Sequence, residues 1–258
     1  MRWGEVCQRP KVVHLESAET RKEGGAAKTP RSKGRLGFSI PWLLGDLPAW
    51  PTDSFLSNRN PDILRQMNQR EKLSIRQEAI FRRRAQDKKD ETSHKILQHL
   101  RQLAVYQQAS TVLFYIGVRS EVRTIAELSR LLGQGDKRVV VPYCVDQHLE
   151  LFHLDAIDEL ESGAYRLLEP KRSLRSNPDR SVEITEVDLV VVPGIAFDRQ
   201  GGRLGNGFGY YDRLLAKIAS TTSLVALAYD CQMFPLIPMD EHDIRMDVVI
   251  TEKESKQL

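Results

Sequence analysis

Residues 189–213 read Leu189-Val-Val-Val-Pro-Gly-Ile-Ala-Phe-Asp-Arg-Gln-Gly-Gly-Arg-Leu-Gly-Asn-Gly-Phe-Gly-Tyr-Tyr-Asp-Arg213. The apolar run Leu189 to Val192 stops at Pro193-Gly194, the pattern of a strand buried on both faces of a parallel sheet. Five glycines follow within nine residues, at 201, 202, 205, 207 and 209. Then Tyr211, Leu214, Leu215 and Ile218 recur at helical spacing, which predicts a helix over Gly209–Ala219. Strand, glycine-rich loop and helix in that order are how α/β proteins hold phosphate. Glycines let backbone N–H groups turn toward an anion, and the helix N-terminus adds partial positive charge. The glycine spacing matches neither the P-loop nor the dinucleotide fingerprint. A glycine cluster on its own also fits a plain loop.

Working outward, the same alternation continues on both sides. Helical patterns cover Glu71–Arg84, with Ile75, Ala79 and Ile80 on one face, and Thr92–Tyr106, with Ile96, Leu97, Leu100 and Leu103 on one face. Thr111–Ile116 reads as a buried strand, Val122–Leu132 as a helix closed by Gly133, and Arg138–Pro142 as a second strand. Leu149–Leu154 reads as a third, more exposed strand. Pro170–Asp179 is polar and reads as a surface loop. Leu224–Tyr229 and Met246–Ile250 complete the strands. The expected fold is a three-layer α/β domain over residues 67–258, its mainly parallel sheet covered by helices on both faces. Ligands of such sheets bind beyond the carboxyl ends of the strands, where the glycine loop begins.

Residues 1–66 lack this periodicity. Lys22–Arg35 has a disordered composition, and Ile40–Trp50 is an isolated apolar island. The segment reads as a disordered N-terminal extension, or as the product of a start placed upstream of a true start at Met67. It carries eleven Lys and Arg against seven Asp and Glu, while the whole chain has a net charge of +3. The remainder is therefore slightly acidic, which argues against a nucleic-acid-binding core. No apolar run approaches the ~20 residues of a membrane span, and the first ten residues lack a signal-peptide core. Cys7, Cys144 and Cys231 are few and far apart, as in a cytoplasmic protein with reduced thiols. The expected partners are therefore small molecules, with neither nucleic acid nor membrane, and the expected state is a monomer or weak oligomer.

Several polar residues stand where chemistry is expected. Lys72 and Arg76 lie four apart on one helical face, suited to phosphate; the bland alternative is a solvated basic face extended by Arg82, Arg83 and Arg84. Ser120 and Glu121 open a predicted helix, where Ser120 caps and a carboxylate favours the dipole. Asp212 follows the glycine loop, and Asp243 lies in an acidic stretch ending at Asp247. Two carboxylates with phosphate oxygens suffice for Mg²⁺, a hard cation that keeps several waters. His242 is expected to be exposed, because imidazole is a poor Mg²⁺ ligand.

The string Arg203-Leu204-Gly205-x-Gly207-x-Gly209-Tyr210-Tyr211-Asp212-Arg213, preceded by Pro193-Gly194-x-Ala196-Phe197-Asp198 and Gly201, resembles the signature of 5-formyltetrahydrofolate cyclo-ligases. Lys72-Leu-Ser-Ile75-Arg76 resembles the family's opening helix pattern, Glu121-Val-x-Thr124 its glutamate motif, and Glu241-x-Asp243-x-x-x-Asp247 its C-terminal acidic motif. The resemblance runs from about Lys72 to Thr251. It implies an ATP- and Mg²⁺-dependent ligase that converts 5-formyltetrahydrofolate to 5,10-methenyltetrahydrofolate, releasing ADP and phosphate. ATP would be held by Lys72, Arg76, Arg203, Leu204, Gly205, Asn206, Gly207, Phe208, Gly209, Tyr210 and Tyr211. The folate would meet Ile116, Glu121 and the loop Asn206–Tyr210. Tyr210 and Tyr211 are the catalytic candidates, and Asp212 and Asp243 the Mg²⁺ ligands. Two departures stand out: Asn206 replaces a frequent Arg, and Phe208 a Gly or Lys. Tyr143 also stands where some members carry a basic residue. These departures motivate a second reading, a catalytically weak paralogue that binds nucleotide or folate. A third, an interaction protein acting through the basic tail, would show salt-sensitive nucleic-acid binding.

Overall fold

The computed structural model describes residues 61–163, 167–253 and 255–257. The island Ile40–Trp50, the stretch Lys22–Arg35 and Cys7 lie outside the described residues. The chain runs α1 (Pro61–Ala85), α2 (Lys89–Gln102), α3 (Ala104–Gln108), β1 (Thr111–Phe114), α4 (Ile125–Gln134), β2 (Arg138–Val145), β3 (His148–His153), β4 (Leu160–Ser162), β5 (Leu168–Pro170) and α5 (Arg172–Arg175). It continues through β6 (Leu189–Val192), β7 (Ala196–Phe197), β8 (Arg203–Leu204), α6 (Tyr210–Leu215), β9 (Ser223–Leu227), β10 (Val248–Ile250) and β11 (Ser255–Gln257).

Seven strands form one sheet in the order β11-β10-β9-β6-β1-β2-β3. The inner pairs are parallel, and β3 and β11 run antiparallel at the edges. The predicted mainly parallel α/β sheet is therefore present. Strand side chains alternate between two cores, as the period of two requires. Val112, Phe114, Leu189 and Val191 enter one core with Leu97, Leu100 and Leu128 of α2 and α4. Leu113, Val190 and Val192 enter the other with Ile184, Leu214 and Leu215. Residues covered on both faces explain why β1 and β6 read as unbroken apolar runs. A third cluster joins Ala79 of α1, flanked by Ile75 and Ile80, to Ile195, Ala196 and Leu204 of the β7–β8 hairpin. This cluster seats α1 beside the glycine loop.

Several predicted boundaries move. The first helix starts ten residues before Glu71, and Met67 falls inside it. The helix expected over Thr92–Tyr106 breaks at Leu103, whose ψ of 130° is extended. The break turns Tyr106 inward, where its hydroxyl donates to Glu127 Oε1 at 2.6 Å. The helix expected from Val122 begins only at Ile125, and Gly135, not Gly133, ends it, with φ at +66° and its N–H on Leu131 O. Thr124 causes the late start. Its buried hydroxyl donates to Tyr115 O at 2.7 Å and accepts the Gly117 N–H at 2.8 Å, folding residues 117–124 into a loop. Ser120 is therefore no cap. The strand expected to stop at Pro142 runs on to Val145; Pro142 pairs with Leu151 of β3, and the β1 pairing ends at Val140, so no ladder partner is lost.

The expected helix Gly209–Ala219 is α6 alone; the N–H groups of Lys217 and Ile218 bond three residues back, tightening the chain into turns. Within the expected surface loop Pro170–Asp179, α5 forms and places Arg175 4.8 Å from the centre of the Tyr143 ring.

Candidate active site

β1 connects onward to β2 on one side of the sheet, while β6, its neighbour, connects to β9 on the other. The carboxyl ends of β1 and β6 thus flank a topological switch point, where open α/β sheets leave a crevice. A cleft of about 660 Å³ lies there. The fifteen residues expected to hold ATP, folate or Mg²⁺ all line it: Lys72, Arg76, Ile116, Glu121, the run Arg203–Asp212 and Asp243.

α1 presents the cations. Lys72 is buried, and its Nζ donates to Asp240 Oδ2 at 2.7 Å and Asp243 Oδ2 at 2.6 Å. Burial favours the neutral amine, but the two carboxylates outweigh it and hold the ammonium above its ordinary pKa. One turn on, Arg76 donates through Nε to Gly205 O at 2.8 Å. The first cation thus faces the C-terminal acidic stretch and the second anchors the glycine loop.

The glycines divide into two jobs. Gly201 and Gly202 belong to the β7–β8 turn, pinned by Asp198, which is fully buried. Its Oδ1 accepts the N–H of Gln200 and Gly202, and its Oδ2 that of Ile237. A Cβ on Gly202 would stand 2.4 Å from that carboxylate. Asp198 is thus a structural member of the signature. Gly205–Gly209 form the loop proper, with Gly207 and Gly209 at φ +92° and +69°. Phe208 at its tip is 72% exposed, and Asn206 is exposed, so no cation of the loop itself faces the cleft.

The two tyrosines differ. Tyr210 donates its hydroxyl to Asp146 O at 3.4 Å, and its ring lies under the Arg213 guanidinium at 5.3 Å. Arg213 also donates to Gln147 O, so the loop is latched to the β2–β3 turn. The Tyr211 hydroxyl is buried with no hydrogen-bond partner, and burial raises its pKa far above the ordinary tyrosine value. A buried hydroxyl left unpaired at a cleft marks a group that a ligand would satisfy. Across the cleft Glu121 is largely buried, its Oε2 accepting the Val118 N–H at 3.1 Å. Burial pushes its carboxyl above the usual glutamate range.

Asp212 pairs with Arg203, which is itself buried and leaves its Nε without a partner. For Asp243, burial acts upward, but the Asp240 N–H and the Lys72 ammonium hold the carboxyl below its ordinary pKa. Among the described residues no three His, Cys, Asp or Glu side chains gather as a ready metal cage. Two carboxylates at one cleft, all-oxygen and each already facing a cation, fit a Mg²⁺ that takes its remaining ligands from phosphate and water. Asp247 stands apart, accepting the Leu224 N–H at 2.7 Å, and the His242 side chain is 89% exposed.

Sequence reasoning missed Asp240 at the cleft and Arg83 behind its wall, against Gly194 and Glu121. Asp240 shares Lys72, but its partner lies 168 residues away in the chain. Arg83, read as part of a solvated face, is only 7% exposed. Burial of an arginine between Ile80 and Arg84 leaves no signature in a basic run. Tyr143 does not reach the cleft: it is buried in the core, its hydroxyl on Glu150 Oε2 at 2.6 Å.

The model of the 5-formyltetrahydrofolate cyclo-ligase family matches residues 68–252. The chain belongs to this family. It is 36% identical over 152 residues to the 5-formyltetrahydrofolate cyclo-ligase of Mycolicibacterium smegmatis, covering 55% of this chain and 74% of that protein. The mouse cyclo-ligase is 30% identical over 158 residues, covering 57% and 75%. In three dimensions the chain is similar to the 5,10-methenyltetrahydrofolate synthetase of Aquifex aeolicus, with a TM-score of 0.62 and 29% identity over 72% of this chain and 92% of that one. A synthetase from Mycoplasma pneumoniae, 20% identical at a TM-score of 0.56, shares the fold. As a cyclo-ligase family member the protein is an enzyme, a ligase of folate metabolism. No helix among the described residues is long and apolar enough to cross a membrane.

Proposed function

We propose that the cleft binds ATP and 5-formyltetrahydrofolate together and closes the 5,10-methenyl ring, releasing ADP and phosphate. One observation carries this reading: the cations of α1, the glycine loop and Glu121 line a single cleft. The chemistry needs that proximity. An N-formyl oxygen is a poor leaving group. Transfer of the terminal phosphoryl group to that oxygen forms an O–P bond as ADP leaves. N10 then attacks the formyl carbon, and the C–O bond breaks with its electrons on phosphate. The protein's work is positioning and neutralising charge.

Lys72, Arg76 and the Gly205–Gly209 amides would face the triphosphate. Asp212 and Asp243 would hold Mg²⁺, which when bound draws negative charge from the phosphate oxygens. With Mg²⁺ held by the two carboxylates, Arg203 would be released from Asp212 and Lys72 from Asp243, leaving Lys72 on Asp240 and both cations able to reach phosphate. Glu121 and Ile116 would receive the pterin, and the unpartnered Tyr211 hydroxyl would hydrogen-bond the folate. Tyr210, tied to Asp146, would support the loop. Among the described cysteines Cys144 and Cys231 are free thiols, consistent with the cytoplasmic setting we assign.

The test is the absorbance of methenyltetrahydrofolate on mixing 5-formyltetrahydrofolate, ATP and Mg²⁺. Product that requires all three supports the reading; a folded protein that forms none removes it. The exposed, uncharged Asn206 and Phe208 favour the second reading, a weak paralogue. It predicts nucleotide binding without ADP release that depends on 5-formyltetrahydrofolate.

A further inference from the structure

Arg83 reads in sequence as one of three surface arginines. In the structure its guanidinium sits at the switch point. Nε donates to Ser120 Oγ at 3.1 Å, and Nη1 donates to Gly194 O at 3.1 Å. The same Nη1 lies 3.9 Å from Glu121 Oε1. Ser120 and Glu121 follow β1, and Gly194 follows β6. One buried side chain therefore bridges the two strand ends that open the cleft. It issues from α1, the helix that presents Lys72 three turns earlier.

Apart from the Val118 N–H on Oε2, Glu121 has few other means of staying charged. Its side chain is 15% exposed. Around it stand Arg119 in its own loop, Tyr115 after β1, Tyr211 of α6 and Tyr229 after β9, whose hydroxyl donates to Glu121 O at 3.1 Å. Only two of these neighbours, Arg83 and Arg119, are cations, and Arg119 is exposed. Screening by water is weak for the buried pair and strong for the exposed one. A planar guanidinium held by Ser120 and Gly194 cannot swing away, unlike an ammonium on a flexible stem.

We propose that Arg83 is a positioning residue, whose locked guanidinium fixes the Glu121 carboxylate in its charged form on the folate side of the cleft. The folate assignment rests on the proposed function; the coupling of Arg83 to Glu121 does not. The test titrates Glu121 by carboxyl NMR of ¹³C-glutamate-labelled full-length protein, the resonance assigned with Glu121→Gln. Arg83→Gln should raise the Glu121 midpoint by about one pH unit, the scale of losing an opposite charge at this range. Arg83→Lys, which keeps the charge but loses the fork held by Ser120 and Gly194, should raise it by less than Arg83→Gln without restoring the wild-type value. Ser120→Ala, which only unties Nε, should raise it by less, and decides the matter if Arg83→Gln fails to fold.

In the assay, the acid limb of kcat/KM for 5-formyltetrahydrofolate should move up with the NMR midpoint, and KM for ATP should not move. Arg83→Gln combined with Glu121→Gln should lose no more than Glu121→Gln alone. A Glu121 midpoint unchanged in the folded Arg83→Gln protein, or in Ser120→Ala where that protein does not fold, overturns the proposal. A midpoint that moves while Glu121→Gln leaves the folate KM untouched keeps the coupling and removes the folate role of Glu121.

Discussion

Gly207 holds φ at +92° with its Cα facing the Arg76 guanidinium. A Cβ there would meet that group at 3.5 Å, an ordinary contact, so the cost of a side chain is conformational. A β-branched residue at positive φ costs about 1–2 kcal/mol or more, and relief requires the loop to move. Gly207→Val is expected to weaken binding of a non-hydrolysable ATP analogue more than binding of folate. Asn206→Arg is expected to tighten the analogue, more so at low salt. Calorimetry reads both; equal nucleotide affinity in Gly207→Val and wild type would make the loop purely structural. For the carboxylates, Asp212→Asn and Asp243→Asn should each raise the Mg²⁺ concentration needed for half-maximal turnover while the circular dichroism stays native. An unchanged Mg²⁺ requirement in both would take them out of the metal site. At this scale the sequence is readable where spacing itself imposes geometry, as at Lys72 and Arg76. It is silent on Asp240 and Arg83, whose roles come from partners folded in from distant chain.

Glu127 shows what helices and strands add. It is fully buried on α4 and collects Arg101 of α2 at 2.9 Å, Arg130 at 2.6 Å and the Tyr106 hydroxyl at 2.6 Å. Burial acts to raise its carboxyl, but Arg130, Tyr106 and Arg101 outweigh that and hold it below the ordinary glutamate pKa. A carboxyl depressed by folding stabilises the protein above its unfolded pKa, and that contribution is lost as pH falls through the folded value. Glu127→Ala should cost about 1–3 kcal/mol, because it leaves the buried Tyr106 hydroxyl without its acceptor while Arg101 and Arg130, each about a third exposed, regain water. Its Tm should also fall less steeply than that of wild type below about pH 4.5. Parallel Tm curves on acidification would show that Glu127 is not the group responsible. This network also explains the misplaced helix ends. Periodicity finds the apolar face of a helix, but the breaks at Leu103 and before Ile125 are set by Tyr106 and Thr124 bonding across elements. The β4–β5 and β7–β8 hairpins were likewise illegible, being too short for an alternating pattern to declare itself.

Over the whole molecule, the sheet was legible because β1, β2, β6, β9 and β10 are buried on both faces and read as apolar runs. The antiparallel edge β11 was not, since Ser255-Lys-Gln257 has no apolar residue to mark it. The cleft followed from the sheet, by the rule that ligands sit at strand ends. Among residues 66–85 of α1, Lys72 is the first buried one. A chain beginning at Met67 should therefore fold and turn over like the full chain; insolubility or inactivity of that chain alone would place residues before 67 in the working core. The register of the central pair, Val112 with Leu189, joins residues more than seventy positions apart. Such long-range closure is slow, because much chain must be ordered before the contact is made. As the nascent chain emerges, β1 has β2 for a neighbour long before β6 exists, and its other edge lies bare, with unpaired backbone N–H and C=O groups between mostly apolar side chains. The window between synthesis of Phe114 and of Val192 is thus when the protein is most exposed to aggregation, and when a chaperone would serve it most.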